Sequence, residues 1–217
     1  MVHTLTGNWR KIYADYHEGK ISLASLRGRE DGGARRIGLR AVMNGDGFRN
    51  DGSYLYARNI AGGLRDLNEG LSRIEQGGYR FDFGQEVAPT ALAELDRLLR
   101  RCRERQIHLI AFLPPYAHVA YERLQATGRH QYIFAIEPLA RPIFERHGFT
   151  LHNYSDLGAL NIPDTESFDV YHPTEKGALR LFLQIIAAEP VLQRYCDPVT
   201  LQEALAHSDN AFYVFKN

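Results

Sequence analysis

The stretch Ile107-His108-Leu109-Ile110-Ala111-Phe112-Leu113, halted by Pro114-Pro115, constrains the fold more than any other part of the chain. A short run that is almost continuously apolar reads as a strand of a parallel sheet covered by helices on both faces. Two prolines in a row cannot donate ladder hydrogen bonds, so the strand ends there and a loop begins. Before it, residues Thr90 to Arg105 place Leu92, Leu95, Leu98, Leu99 and Cys102 at helical spacing on one face. After it come helices over Ala117 to Ala126 and Tyr132 to His147, with Pro138 and Pro142 expected to start or kink the second. Gly148 closes that helix, and Phe149 to Tyr154 alternates as a second strand. The order helix, strand, helices, strand predicts an α/β class.

Beyond the second strand a loop from Ser155 leads into Phe168-Asp169-Val170-Tyr171-His172-Pro173-Thr174 and then a helix from Glu175 to about Ala188. Thr174 can cap that helix, Glu175 suits the positive end of its dipole, and Leu179, Phe182, Leu183 and Ile186 recur at i, i+3, i+4, i+7. An Asp three residues before a His, in a loop held by an anchored helix, puts a carboxylate near an imidazole, able to fix its tautomer and stabilise its charged form. In open α/β sheets ligands bind at the carboxyl ends of the strands. Both the Pro-Pro loop, with Tyr116 and His118, and the loop carrying Asp169 and His172 are expected at that edge.

Residues 1–88 read as an irregular region, with short helices at Leu5 to His17, Ile21 to Leu26 and Leu64 to Ile74, and an extended surface excursion over Gly28 to Asn50. Within Gly47 to Tyr56, Asn50-Asp51-Gly52 is turn chemistry between aromatic flanks, which predicts a small hairpin. Asp51 and Tyr54 are candidate cleft residues, with solvation of a loop tip as their ordinary role. Residues 89–190 hold the α/β pattern. Residues 191–217 add a helix opened by Asp197-Pro198, running to about His207, and an aromatic tail, Ala211 to Phe215, that must be covered.

Composition excludes several functions. With 217 residues, 44% hydrophobic and 24% charged, the chain can bury a good core, and its 26 basic and 26 acidic residues cancel. A field of one sign that would attract nucleic acid or an anionic membrane is therefore absent. The string Arg97, Arg100, Arg101, Arg103 and Arg105 alternates with helix-core leucines beside Glu94 and Glu104, as a solvated helix face does. Cys102 and Cys196 have no metal spacing, and Cys102 falls in phase with the apolar face. No pair among His108, His118, His147, His152 and His172 has the spacing of a ligand motif, so no metal is expected. No apolar run reaches membrane-spanning length, and Met1 to Thr6 lacks the charged, apolar and cleavage regions of a signal peptide. No localisation follows.

The blocks Phe112-Leu113-Pro114-Pro115-Tyr116-Ala117-His118 and Phe168-Asp169-Val170-Tyr171-His172-Pro173, with Gly177 in the following helix, resemble the carboxyl-terminal half of an SGNH/GDSL hydrolase. More narrowly, they look like the cell-envelope members related to the D-alanine transfer protein and the alginate O-acetylation proteins. The likeness covers about Thr90 to Ala188. It implies a flavodoxin-like, three-layer α/β/α domain, here partial and lacking its first strands. It also implies His172 as general base and Asp169 as its orienter, an acyl ester or polysaccharide substrate with Tyr116 and His118 near it, and no cofactor, since covalent serine chemistry needs none. The family's envelope location is the only pointer to where such a protein works.

The family's serine sits in a G-D-S-like block at the end of the first strand, and this chain has no such block. Ser53 follows a polar Gly/Asn stretch and reads as a turn residue; Ser22 and Ser25 lie in a helical pattern. The oxyanion-hole Gly and Asn also have no match. The chain is then expected to be a fragment left by a truncated or split gene, or a subunit completed by a partner chain that supplies the Ser-bearing strands beside the open edge of strand 107–113, with a homo-oligomer as the other association. The competing reading is a non-catalytic carbohydrate-binding or interaction module in which Tyr54, Tyr56, Tyr116 and Tyr121 stack on sugars.

Overall fold

A computed structural model describes residues 13–14, 17–18, 36–37, 47–49, 54–55, 67–78, 80–212 and 214–215. The chain divides into two compact units, Met1–Leu64 with Phe215–Asn217, and Arg65–Val214.

In the first unit, β1 (Arg36–Ile37), β2 (Gly47–Arg49) and β3 (Tyr54–Leu55) form an antiparallel sheet in the order β1-β2-β3. The hairpin expected around Asn50-Asp51-Gly52 is present as the β2–β3 pair, with Phe48 opposite Tyr54 and Gly47 opposite Leu55. The excursion over Gly28 to Asn50 contributes β1, paired through Arg36 with Arg49 and Ile37 with Phe48. Two residues are too few to show a period in sequence, so this strand carried no local signal. Tyr13, Ala14 and His17 are helical, within the helix expected at Leu5 to His17; the segments Ile21 to Leu26 and residues 50–53 lie outside the described residues.

The second unit is α/β. It runs α1 (Leu67–Gln76), α2 (Pro89–Glu104), β4 (Ala111–Leu113), α3 (His118–Thr127), α4 (Gln131–Arg146), β5 (Leu151–Asn153), two 3₁₀ turns (Gly158–Leu160 and Asp164–Glu166), α5 (Glu175–Ala188), a further turn (Pro190–Arg194) and α6 (Pro198–Ala206). β4 and β5 pair in parallel, Ala111 with Leu151, Phe112 with His152 and Leu113 with Asn153. Leu109, Ala111, Leu113 and Leu151 join a core with Leu99 of α2 and with Ala140, Ile143 and Phe144 of α4. Ile110 and Tyr154 instead pack with Leu157, Ile162, Leu181 and Ile185, the last two from α5. Alternate residues of the sheet thus meet helices of different cores, as the period of two dictates.

Both strands are shorter than the apolar runs that contain them, and the first residue of each run is taken up in closing the helix before it. Gln106 turns left-handed (φ 54°) after α2, and the Ile107 N–H donates to Cys102 O at 2.9 Å. Gly148 does the same after α4 (φ 76°), with the Phe149 N–H donating to Phe144 O at 2.9 Å. These six-to-one closures satisfy the helix ends with the residues that would open each strand. Phe112 remains 41% exposed, so full cover of the strand by helices, as expected from its apolarity, does not hold at that residue.

Pro138 and Pro142 lie inside α4, which runs through both. Both are exposed, so the carbonyls of Phe134 and Pro138, which they leave without i+4 donors, belong to the solvent side of the helix. On α5 the buried residues are Gly177, Leu179, Leu181, Ile185 and Ile186, while Phe182 is 37% exposed. The apolar face expected through Phe182 is therefore rotated toward Leu181 and Ile185. Gly177 sets that rotation: a Cβ there would lie 2.5 Å from Glu166 O, so the helix approaches the preceding loop by its backbone.

Thr174 caps α5, its hydroxyl accepting from the Gly177 N–H at 3.3 Å and donating to Glu166 O at 3.0 Å. Asp197 caps α6 through the Val199 N–H at 3.0 Å. The tail is covered by the start of α5: Lys176 N–H donates to Ala211 O, Glu175 Oε2 accepts from the Val214 N–H, and Phe212 meets Phe168 edge-on at 6.3 Å. Thr174→Ala is expected to lower unfolding stability by about 1–2 kcal/mol, with Thr174→Ser retaining most of it, as read from urea midpoints at constant m.

Candidate functional site

The peptide from Glu166 to Thr174 is closed at its base like a small hairpin. Thr174 N–H donates to Glu166 O at 2.8 Å, Ser167 and Pro173 form an antiparallel bridge, and Phe168 N–H donates to His172 O at 2.7 Å. The buried Glu166 carboxylate accepts from Arg180 Nε at 2.7 Å, which ties the base to α5. At the tip, Asp169 Oδ1 accepts from the backbone N–H groups of Tyr171 (2.9 Å) and His172 (2.8 Å), and Oδ2 accepts from His172 Nδ1 at 2.7 Å. An ionised carboxylate only accepts, so the proton lies on Nδ1 and Nε2 faces outward with its lone pair in the neutral ring. The His172 side chain is 48% exposed.

Between them, Val170 is buried and anchors the tip. Its carbonyl accepts from the Ala117 N–H at 3.0 Å, and its side chain fills the place a Cβ would take on Gly70 of α1. Tyr171 packs beside Phe81 (6.1 Å) with the Arg80 guanidinium 5.7 Å from its ring. The Asp169–His172 pair is therefore joined through one backbone bond to the Pro-Pro loop, the arrangement expected at the carboxyl edge.

That edge continues past the strands. Tyr116 N–H donates to Ser155 O (2.8 Å) and Leu157 N–H to Tyr116 O (3.1 Å), a parallel bridge between Tyr116 and Asp156. His118 stands here as a second imidazole held by a carboxylate, its Nδ1 2.9 Å from Asp156 Oδ1, which also accepts from the Gly158 N–H at 2.8 Å. A Cβ on Gly158 would lie 2.3 Å from His118 Nδ1, so glycine permits the approach. Asp164 takes the α3 N-terminus, accepting from the N–H of His118 (2.6 Å) and Val119 (3.1 Å). The bond from Asp156, opposed by burial and aided by the charges of Asp156, Glu122 and Asp164, holds the His118 pKa above the ordinary histidine value.

Asp156, Gly158 and Asp164 carry no sequence motif. Their only signal is position, in the loop that leaves β5 at the ligand-binding edge. Tyr116 is half-buried, 6.4 Å from Phe81, and burial followed by the charge of Tyr132 pushes its phenol up. Tyr121 is likewise engaged, edge-on to Phe134 at 5.4 Å. Tyr54 opens β3 in the other unit, and Asp51 and Tyr56 lie outside the described residues. Ser167, the serine nearest in sequence to the pair, is fully buried and out of reach of a substrate, and the Ser155 hydroxyl donates to Asn153 Oδ1 at 2.6 Å. Among the described residues no group of three or more His, Cys, Asp or Glu side chains is arranged to hold a metal ion, and no helix is long and apolar enough to cross a membrane.

No protein-family model, curated protein or solved structure matches this chain. The site is read on its geometry. Gly158→Ala is expected to separate His118 from Asp156 and so lower the His118 titration midpoint toward that of a free histidine, measured by side-chain NMR against pH. Stability linked to this pair is complete below the unfolded-state histidine pKa and is lost as pH rises through the raised folded value; the substitution should remove that dependence.

Proposed function

We propose that the chain carries the acid–base part of an SGNH-type acyl ester hydrolase or O-acyltransferase acting on an envelope or polysaccharide ester. His172 is its general base, Asp169 orients it, and the nucleophile is a serine on strands that a partner chain supplies. The observation that carries this reading is the 2.7 Å bond from His172 Nδ1 to Asp169 Oδ2, with Nε2 directed outward. It has the form of the imidazole–carboxylate portion of a serine triad. The parallel β4–β5 pair, the contact of α5 with one set of sheet residues and of α2 and α4 with the other, and the position of both loops beyond the carboxyl ends support the flavodoxin-like, three-layer reading.

In this mechanism His172 Nε2 takes the proton of the attacking hydroxyl as it bonds to the acyl carbon, and Asp169 stabilises the imidazolium formed. Hydrolysis and transfer differ only in whether water or an alcohol removes the acyl group afterwards. Without the serine, the pair still activates water weakly. The full chain is expected to cleave p-nitrophenyl acetate above buffer, with His172→Gln losing roughly tenfold or more of that rate, Asp169→Asn losing less, and a serine-directed fluorophosphonate leaving the chain unlabelled. Equal rates for wild type and His172→Gln would sink the reading.

A further inference from the structure

Among the described residues, four imidazoles are held by one carboxylate each at hydrogen-bond length, and they fall into two kinds. His147 bonds Asp96 and His152 bonds Glu189 through Nε2, at 2.9 and 2.7 Å, with side chains only 12% and 14% exposed. His152 is also stacked on Tyr154 at 5.6 Å. Their outer nitrogen is consumed, and they fasten helices. His118 and His172 instead bond through Nδ1, at 2.9 and 2.7 Å, and are 45% and 48% exposed. In both, the carboxylate at hydrogen-bond length holds Nδ1 and leaves Nε2, on a side chain nearly half exposed, as proton transfer to a ligand requires.

The two exposed pairs also share a place. Ala117, immediately before His118, donates its N–H to the carbonyl of Val170, which lies between Asp169 and His172. Both imidazoles therefore stem from adjoining backbone at the carboxyl edge of one parallel sheet. His118 is held there by more than its carboxylate: Gly158 leaves room for the ring, Asp156 is itself fixed by the Gly158 N–H, and Asp164 pins the backbone of His118. Glu122 Oε1, one turn along α3, lies 3.6 Å from Nε2, beyond hydrogen-bond length. A surface tether has no need of such a setting.

We propose that His118, oriented by Asp156, is a second acid–base residue of this site and gives its Nε2 proton to the oxygen that leaves the acyl carbon. The proposal rests on the reading of His172 as base. As the attacking oxygen bonds to the acyl carbon, its proton goes to His172 Nε2. The bond from the acyl carbon to the alcohol oxygen then breaks with its electron pair, and that oxygen takes the proton from His118 Nε2. His118, left neutral, then takes the proton of the water or alcohol that attacks the acyl group in the second half-reaction, and His172 returns its own proton to the oxygen that attacked first. The carboxylates facing His118 are Asp156, Glu122 and Asp164, and they shift its pKa upward, toward the protonated form that this role needs.

The full chain, with His118→Gln, Asp156→Asn and His172→Gln, would be assayed on two esters of one acid. Phenyl acetate has a leaving oxygen that needs a proton; p-nitrophenyl acetate has one that leaves unaided. His118→Gln is expected to slow phenyl acetate cleavage roughly tenfold or more while leaving p-nitrophenyl acetate within about twofold. Slowing of both esters alike would show a structural role, and slowing of neither would show no role; each overturns the proposal. If wild type exceeds His172→Gln on neither ester, the reading of the chain as an ester-cleaving unit falls and the role of His118 falls with it. Where His118→Gln does not fold, Asp156→Asn carries the same comparison, and side-chain NMR must show its His118 titrating lower than in wild type; an unmoved midpoint also overturns the proposal.

Discussion

The carbonyl oxygen of Glu166 accepts from both the N–H and the hydroxyl of Thr174, and the rest of the site hangs on that double bond. It closes the loop that carries Asp169 and His172, and it places the cap of α5 at the same point. Gly177 then brings the helix backbone against the same carbonyl, and the Glu166 carboxylate reaches Arg180 one turn further along α5. A buried carboxylate left without its partner is strongly unfavourable, so loop and helix are held to each other from both sides. Positioning of the imidazole is thus built into the packing of α5 rather than left to the loop.

From this anchor the order of the loop follows. Asp169 is fixed first by two backbone N–H groups, so its second oxygen has one direction in which to meet His172. Val170 is buried while Asp169 and Tyr171 on either side are half-buried and His172 is 48% exposed, so the tip has an anchored middle and a presented imidazole. The bond from Ala117 to Val170 then fixes the tip against the turn that follows β4. A rigid element at each end and one hydrogen bond between them suffice to hold two imidazoles at the same edge.

How much of this was legible depended on whether the cause was local. The Asp169–His172 pair, the cap at Thr174, the cap at Asp197 and the burial of Cys102 follow from neighbours three or four residues away, and sequence spacing shows them directly. Strand limits did not, because Ile107 and Phe149 carry apolar side chains that suit a strand but use their N–H groups to close α2 and α4. The face of α5 was misread at Phe182 because its rotation is set by a backbone approach at Gly177, and glycine leaves no mark on an apolar period. Asp156 and Asp164 stayed hidden because their partners lie 38 and 46 residues away.

That last group bears on how such sites are recognised. A histidine three residues from its carboxylate announces itself, while one served by a carboxylate from the next strand's loop does not, although the bond differs by only 0.2 Å between them. What separates a working imidazole from a structural one here is which nitrogen the carboxylate holds. When Nε2 is taken, as in His147 and His152, the ring is turned inward and its partner closes it off. When Nδ1 is taken, as in His118 and His172, the carboxylate orients the ring without occupying the remaining nitrogen. By that criterion His118 belongs with His172, and the edge of the sheet carries two such imidazole–carboxylate pairs rather than one.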